Sequence, residues 1–313
     1  MYNYLPLVSV GLPVYNGENY VKSAIESILA QTYTNFELII SDNASTDSTQ
    51  KICEEMAQKD SRIKYFRNEI NIGASGNFRR VFELSAGKYF KWTGHDDVSA
   101  PGLLESLVNV LEHKEDYILC YSRTTRINEK DEVITSGYSD GLALYGNTPQ
   151  KRLGQFFHRF RSNTYCEPAF GLVRREVLAK TRLIEGYIAS DEIMLGELAM
   201  RGRFFEVPES YFFRRIHPDA AGHKNRSVKD LAAWYNPGNR KKLQLRRWRM
   251  FAGYMDAVRR VPLSAYSKIA CYWQVLLWAA RHWKGLSFEI LILIRQLFSA
   301  KKQAKTNYVL GTK

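Results

Sequence analysis

At 313 residues, 45% hydrophobic and 25% charged, the chain can form one large domain, or one domain with an appendage, and is too apolar for extensive disorder. The formal net charge of +13 is uneven: from about residue 222 onward there are nineteen Lys/Arg against three acids (Asp230, Asp256 and Glu289), leaving the preceding part slightly acidic. Four scattered cysteines, Cys53, Cys120, Cys166 and Cys271, form no C-x-x-C pair, which argues against a zinc site or disulfide framework and fits a reduced cytosolic setting.

The opening Met1-Tyr2-Asn3-Tyr4-Leu5-Pro6-Leu7 lacks a basic region ahead of an apolar core and does not read as a signal peptide. The first hundred residues then alternate short apolar runs with amphipathic stretches, as βαβ units do. Leu7 to Pro13 reads as a buried strand, and Glu18 to Gln31 as a helix with Val21, Ala24, Ile25, Ile28 and Leu29 on one face. Phe36 to Ser41 is a second strand, ending in the polar turn Asp42-Asn43-Ala44-Ser45-Thr46-Asp47, rich in helix-capping side chains. Ile63 to Phe66 is a third strand and Gly76 to Ala86 a helix. Lys88 to Thr93 is a fourth strand that runs into Gly94-His95-Asp96-Asp97, and Pro101, tolerated in a first turn, begins the next helix.

This alternation implies an α/β fold with a Rossmann-like, doubly wound, mostly parallel sheet. Ligands of such sheets sit beyond the carboxyl ends of the strands, so Asp42 and the Asp96-Asp97 pair are expected in one crevice. Ser122 to Phe160 is harder to read and is expected to include long loops, and Ile184 to Gly202 reads as a helix. Past His217 the character changes to a basic, aromatic helix from Leu243 to Val261. Two apolar stretches follow, Ile269 to Trp283 and Leu286 to Phe298, interrupted by Arg281, His282, Lys284, Glu289 and Arg295. Each uninterrupted run is shorter than the roughly 20 residues that span a bilayer, so lying in a membrane interface suits them better than crossing it.

Three acidic clusters carry the candidate chemistry: Asp42 with Asp47, Asp96-Asp97, and Asp191-Glu192. Adjacent carboxylates repel unless something offsets the charge, and a divalent cation bridging phosphate oxygens does so. Taken alone, Asp96-Asp97 reads more readily as a cap for the helix near Pro101.

The segments Leu12-Pro13-Val14-Tyr15-Asn16-Gly17, Gln31 to Asp47, Asn71-Ile72-Gly73 and Phe90 to Asp97 follow one another in an order and spacing that closely resembles the large family 2 of inverting glycosyltransferases, whose fold is called GT-A. The resemblance covers roughly residues 5 to 220. It implies that Pro13, Tyr15 and Asn16 lie in the loop that wraps the nucleotide, that Asp42 binds its base, usually uracil, and that Asp96 and Asp97 bind ribose and a divalent metal, Mn2+ or Mg2+. Gly94 stands where the common D-x-D-D form has its first aspartate, which leaves open which of Asp96 and Asp97 ligates the metal. Ser190-Asp191-Glu192, with Arg201-Gly202 downstream, resembles the segment that supplies the general base, which would be Asp191. His217, in Arg214-Arg215-Ile216-His217-Pro218, resembles a basic segment near the diphosphate that touches phosphate or completes the metal shell, and Arg214 and Arg215 are either a diphosphate clamp or solvated.

By that resemblance residues 1–222 form the nucleotide-sugar-binding catalytic domain and 223–313 a basic amphipathic helical tail. The implied donor is a nucleotide-diphosphate sugar, most simply a UDP-sugar. The implied acceptor is a saccharide, free or lipid-linked, of a cell-surface glycan or glycolipid. Gln244-Leu245-Arg246-Arg247-Trp248 spells the Q-x-x-R-W of processive synthases, but without their membrane spans a basic amphipathic helix explains it. The rival readings are a nucleotide-binding protein without catalysis and a nucleic-acid binder using Lys241, Lys242, Arg246, Arg247 and Arg249 with Trp248 and Phe251. The missing G-x-G-x-x-G after the first strand, where Gly11-Leu12-Pro13 stands, excludes a dinucleotide oxidoreductase. The expectation is a cytoplasmic enzyme, peripheral on the anionic inner face of the cell membrane through its tail, with no nucleic-acid partner.

Overall fold

The computed structural model describes residues 7–160, 166–218, 220, 227–240 and 242–310; the expected boundary at residues 222 and 223 lies outside them. Strands β1 (Val8–Val14), β2 (Phe36–Asp42), β3 (Ile63–Arg67) and β4 (Tyr89–Trp92) form a parallel half-sheet in the order β3-β2-β1-β4. Helices α1 (Val21–Leu29), α2 (Thr49–Lys59) and α3 (Gly73–Glu83) are the crossovers. Every residue of β1, β2 and β4 is buried, the expected state of parallel strands covered on both faces.

The chain continues through β5 (Val98–Ser99), α4 (Leu103–His113), β6 (Tyr117–Ile127), β7 (Val133–Tyr138), α5 (Pro149–Arg159), β8 (Leu172–Arg174) and α6 (Arg175–Leu178). It then forms α7 (Ser190–Arg201) and β9 (Arg203–Arg215). β8 extends the sheet antiparallel to β4, β6 follows antiparallel to β8, β9 lies parallel to β6, and β5 closes the row antiparallel to β9. The stretch from Ser122 to Phe160, where long loops were expected, has one such connection at 139–148 but otherwise holds the second half of β6, all of β7 and α5. β6 reads as irregular because polar Ser122, Thr124 and Thr125 are buried in it, and its partner β9 lies some eighty residues downstream.

Side chains alternate across the sheet into two cores. Leu38 and Ile40 join Val10, Leu12, Ile25, Ile28 and Leu107 on one face, while Ile39 joins Val81, Phe90, Trp92, Phe156 and Leu195 on the other.

The tail consists of α8 (Val228–Tyr235), α9 (Arg246–Arg260), α10 (Ala265–Arg281) and α11 (Trp283–Leu310). Met250, Tyr254 and Val258 of α9 and Cys271, Val275 and Trp278 of α10 bury into the second core, against α5 and α7. Tyr254 meets Phe157 at 4.9 Å and Trp278 at 5.5 Å between ring centroids, both edge to face. Such pairs contribute about 0.5–1.5 kcal/mol each beyond their area burial. Among the described residues no helix is long and apolar enough to cross a membrane.

Candidate active site

The turns that follow β1 and β2 are tied together. Val14 and Asp42 are neighbours in register, and Pro13 stands opposite Ser41. The Asn43 amide donates to the Val14 carbonyl at 2.8 Å, and the Asn16 amide to Ser45 Oγ at 2.9 Å. Asn16 Oδ1 accepts in return from the Thr46 amide at 2.8 Å. Asn16 and Ala44 hold left-handed backbone, with φ of 50° and 61°, which asparagine tolerates better than most residues. Tyr15, on this turn, is 44% exposed.

Asp42 is fully buried. Its Oδ1 accepts from the Ser45 amide at 2.8 Å, and its Oδ2 accepts from the Tyr65 hydroxyl at 2.9 Å and from Arg67. Arg67 Nη2 also donates to the Ser45 carbonyl at 2.8 Å. Sequence reasoning singled out Asp42 and passed over Arg67, whose side chain is a third exposed beside it.

The second half of the site is assembled by β9. Because β9 pairs with β5 at Val98 and Phe213, its end arrives beside the Asp96-Asp97 turn. The Arg215 amide donates to Asp97 Oδ1 at 3.1 Å, and Arg215 Nε to the Asp96 carbonyl at 2.9 Å. Two residues on, His217 Nε2 lies 3.0 Å from Asp96 Oδ2. Tyr20 packs its ring on His217 at 5.0 Å, with the Arg215 guanidinium 4.7 Å over the same ring. Gly17 is the other close approach: a Cβ there would meet the His95 ring at 2.5 Å. The turn after β1 therefore rests directly on the acidic turn after β4.

Burial opposes charge on Asp96, yet His95 and the His217 hydrogen bond outweigh it and hold its carboxyl well below the usual range. Burial and the adjacent Asp96 push Asp97 the other way. The pair thus favours one shared negative charge, carried on Asp96, whose side chain is the more exposed of the two at 18%. Arg214 and Arg215 are both engaged with protein carboxylates, Arg214 with Glu167 at 3.1 Å and Arg215 with Asp131 at 2.7 Å. Lys91, which the sequence did not flag, is buried behind the turn and donates to the Trp92 and Phe170 carbonyls. Burial brings its pKa down to about 8.

Asp191 opens α7 after a left-handed Ala189. Tyr235 donates to its Oδ1 at 3.3 Å, and the Asp191 charge acts on the nearby buried Cys166 thiol. Cys166 precedes Glu167, and Glu167 pairs with Arg214, whose charge acts on Asp97, so a chain of interactions links the Asp191 corner to Asp97. Glu192 pairs with Arg246 of α9 at 2.5 Å; burial still raises its pKa to about 7. The tail therefore contributes Tyr235 and Arg246 to this corner, from beyond the last of the motifs at Pro218.

The sequence profile of glycosyl transferase family 2 matches residues 9–182, more than half of the chain. The chain belongs to glycosyl transferase family 2. An uncharacterized glycosyltransferase of Haemophilus influenzae is 31% identical over 222 residues, covering 68% of this chain and 66% of that one. By contrast, the matches span only 20% to 43% of the length of the rickettsial glycosyltransferases to which the chain is also similar. Among solved structures, S. aureus TarS 1–349 in complex with UDP superposes with a TM-score of 0.54 at 16% identity, covering 89% of this chain and 91% of that one. The mannosyltransferase PcManGT from Pyrobaculum calidifontis, in complex with GDP-Man and Mn2+, gives 0.55 at 17% identity, covering 99% and 82%. Both likenesses concern the fold, and they place this family 2 glycosyltransferase in the GT-A group that the sequence implied.

Among the described residues of this family 2 chain, no three His, Cys, Asp or Glu side chains converge as a complete metal cage. The Asp96–His217 juxtaposition supplies two donors. That number fits a divalent ion held jointly with substrate, since such ions are commonly bound by one or two protein groups together with phosphate oxygens.

Proposed function

We propose that the protein transfers a sugar from a nucleotide-diphosphate sugar to an acceptor hydroxyl, with inversion at the anomeric carbon. The observation that carries this reading is the meeting of Asp96 and His217, 3.0 Å apart, beside the tied turns of residues 13–17 and 42–46. Asp96 and His217 would hold a divalent ion, Mn2+ or Mg2+, with Asp97 behind them fixing the turn through the Arg215 amide. When bound, such an ion offsets negative charge on the departing diphosphate.

Pro13, Tyr15 and Asn16 line the nucleotide side. Asp42 acts on the base through Arg67, because its own oxygens are buried and engaged by Ser45, Tyr65 and Arg67. A guanidinium donates and cannot accept, so it suits a base carbonyl, as in uracil. A UDP-sugar is accordingly the proposed donor; TarS, a fold neighbour, was solved with UDP, and PcManGT with GDP-Man. Asp191 takes the proton of the acceptor hydroxyl as that oxygen attacks. Tyr235 fixes its orientation, and Arg246 neutralises the neighbouring Glu192. The acceptor is a free or lipid-linked saccharide.

The test is calorimetric titration with UDP, GDP and other nucleoside diphosphates, with and without Mn2+, followed by NMR of the product's anomeric configuration from the donor that binds. Metal-dependent binding and an inverted product support the reading. No binding to any nucleotide, or a retained configuration, overturns it.

A further inference from the structure

The outer surface of the tail is apolar in stripes. On α10, Tyr266, Ile269, Trp273 and Leu276 recur at three- and four-residue intervals and are 76%, 70%, 59% and 46% exposed. The opposite face of that helix is the buried one, with Cys271, Val275 and Trp278. On α11, Phe288, Leu291, Ile294 and Phe298 repeat the spacing and are likewise exposed, whereas Leu286 and Glu289 are buried. Single exposed apolar residues are ordinary on a protein surface; two helical stripes, each with several aromatic or branched members, are not.

The charges bordering these stripes have one sign. From Ala265 to Phe298 the Lys, Arg, Asp and Glu residues are Lys268, Arg281, Lys284, Arg295 and Glu289. Glu289 is buried and turned inward, where it accepts the Arg247 and Trp248 amides. The other two tail acids are also engaged: Asp230 with Ser227 at the start of α8, and Asp256 with Arg182, Arg259 and Arg260. The sequence adds Lys301, Lys302 and Lys305 further along α11. A second copy of the chain docking on this face would bring cations against cations with no acid to meet them. An anionic bilayer matches both features, because aromatic and aliphatic side chains favour the headgroup–acyl boundary and each nearby cation adds about 1 kcal/mol of attraction.

We propose that the exposed faces of α10 and α11 form a docking surface for a lipid bilayer carrying anionic headgroups. The inference does not depend on the transferase chemistry, and its test is independent of nucleotide binding. The full chain is sedimented with vesicles of phosphatidylglycerol and phosphatidylcholine, and with phosphatidylcholine alone, at low salt and at high salt. Binding to the anionic vesicles, weakened roughly tenfold or more by high salt and by omission of the anionic lipid, is the expected result. Ile269→Glu with Trp273→Glu should weaken it at least as much, with an unchanged melting temperature, since both side chains are exposed. Lys284→Glu with Arg295→Glu should reduce binding to the anionic vesicles specifically. Failure of the parent to sediment with anionic vesicles overturns the proposal, as does undiminished binding by the Ile269→Glu, Trp273→Glu variant. So does a parent dimer that ignores vesicles and that the same variant converts to monomer, because the face would then be an interface between copies.

Discussion

A Cβ built on Gly94 would stand 2.5 Å from Asp97 Oδ2 and 2.6 Å from Asp96 Oδ1. Restoring ordinary contact, which begins near 3.4 Å, requires each carboxylate to move by roughly 0.8–0.9 Å. A movement of that size breaks the 3.0 Å approach of Asp96 to His217 and the 3.1 Å hydrogen bond from the Arg215 amide to Asp97. Overpacking of this kind costs about 1–3 kcal/mol. If that cost falls on the ligand-binding geometry, Gly94→Ala should weaken Mn2+-dependent UDP binding by roughly 5- to 150-fold. Gly94→Asp, which supplies the first aspartate of the common D-x-D-D form, should be worse, because it adds a third carboxylate to a pair that already shares one charge. Calorimetry at saturating Mn2+ reads the affinity, and the melting temperature serves as a control for gross damage. Retention of the parent affinity by the Ala variant, or a gain in the Asp variant, would show that the two carboxylates do not require the absence of a side chain at residue 94.

The remaining predictions address the other parts of the site. Asp191→Asn should lower turnover by about two to four orders of magnitude while leaving UDP affinity within about twofold, the signature of a lost general base; unchanged turnover removes Asp191 from the mechanism. Arg67→Met strips Asp42 of its guanidinium partner, costing on the order of 3 kcal/mol as a buried carboxylate loses its cation. That loss should be visible as a lowered melting temperature and weakened nucleotide binding, and a variant as stable as the parent refutes the role. Burial works against charge on Glu37, but hydrogen bonds from Lys64, Ser9 and the Ala86 amide prevail and hold its pKa below the ordinary value. The associated stability is complete above the unfolded-state pKa near 4.5 and is lost as pH falls through the depressed folded value. Glu37→Gln should therefore flatten the decline in melting temperature between about pH 5 and pH 3, and an unchanged slope contradicts the assignment.

The parallel half of the fold was legible because β1, β2 and β4 are buried throughout and mostly apolar, and the expected ends of the first elements fall within three residues of the observed ones. The residues at their carboxyl ends, Asp42, Asp96 and Asp97, were legible for the same reason. The second half was not. β6 and β9 carry arginines, glutamates and buried threonines, and become strands by pairing with each other across a long sequence separation. That pairing delivers His217 to Asp96 and turns Arg214 and Arg215 toward protein carboxylates, outcomes that no local pattern announces. The Glu192–Arg246 contact, 54 residues apart in sequence, likewise follows from the packing of α9 on α7.

The carboxylate of Glu289 receives the amides of Arg247 and Trp248 at 2.9–3.2 Å and so caps α9 from a helix that begins nearly forty residues later. Arg246, the residue just before those amides, is the one that reaches Glu192 beside Asp191. The far end of the polypeptide is thus a keystone: a chain stopped at residue 282 would leave bare amides where α9 starts and let that turn fray. Shortening the protein for convenience of expression would then unsettle the ground next to Asp191, the proposed base, even with every motif in the first two hundred residues intact.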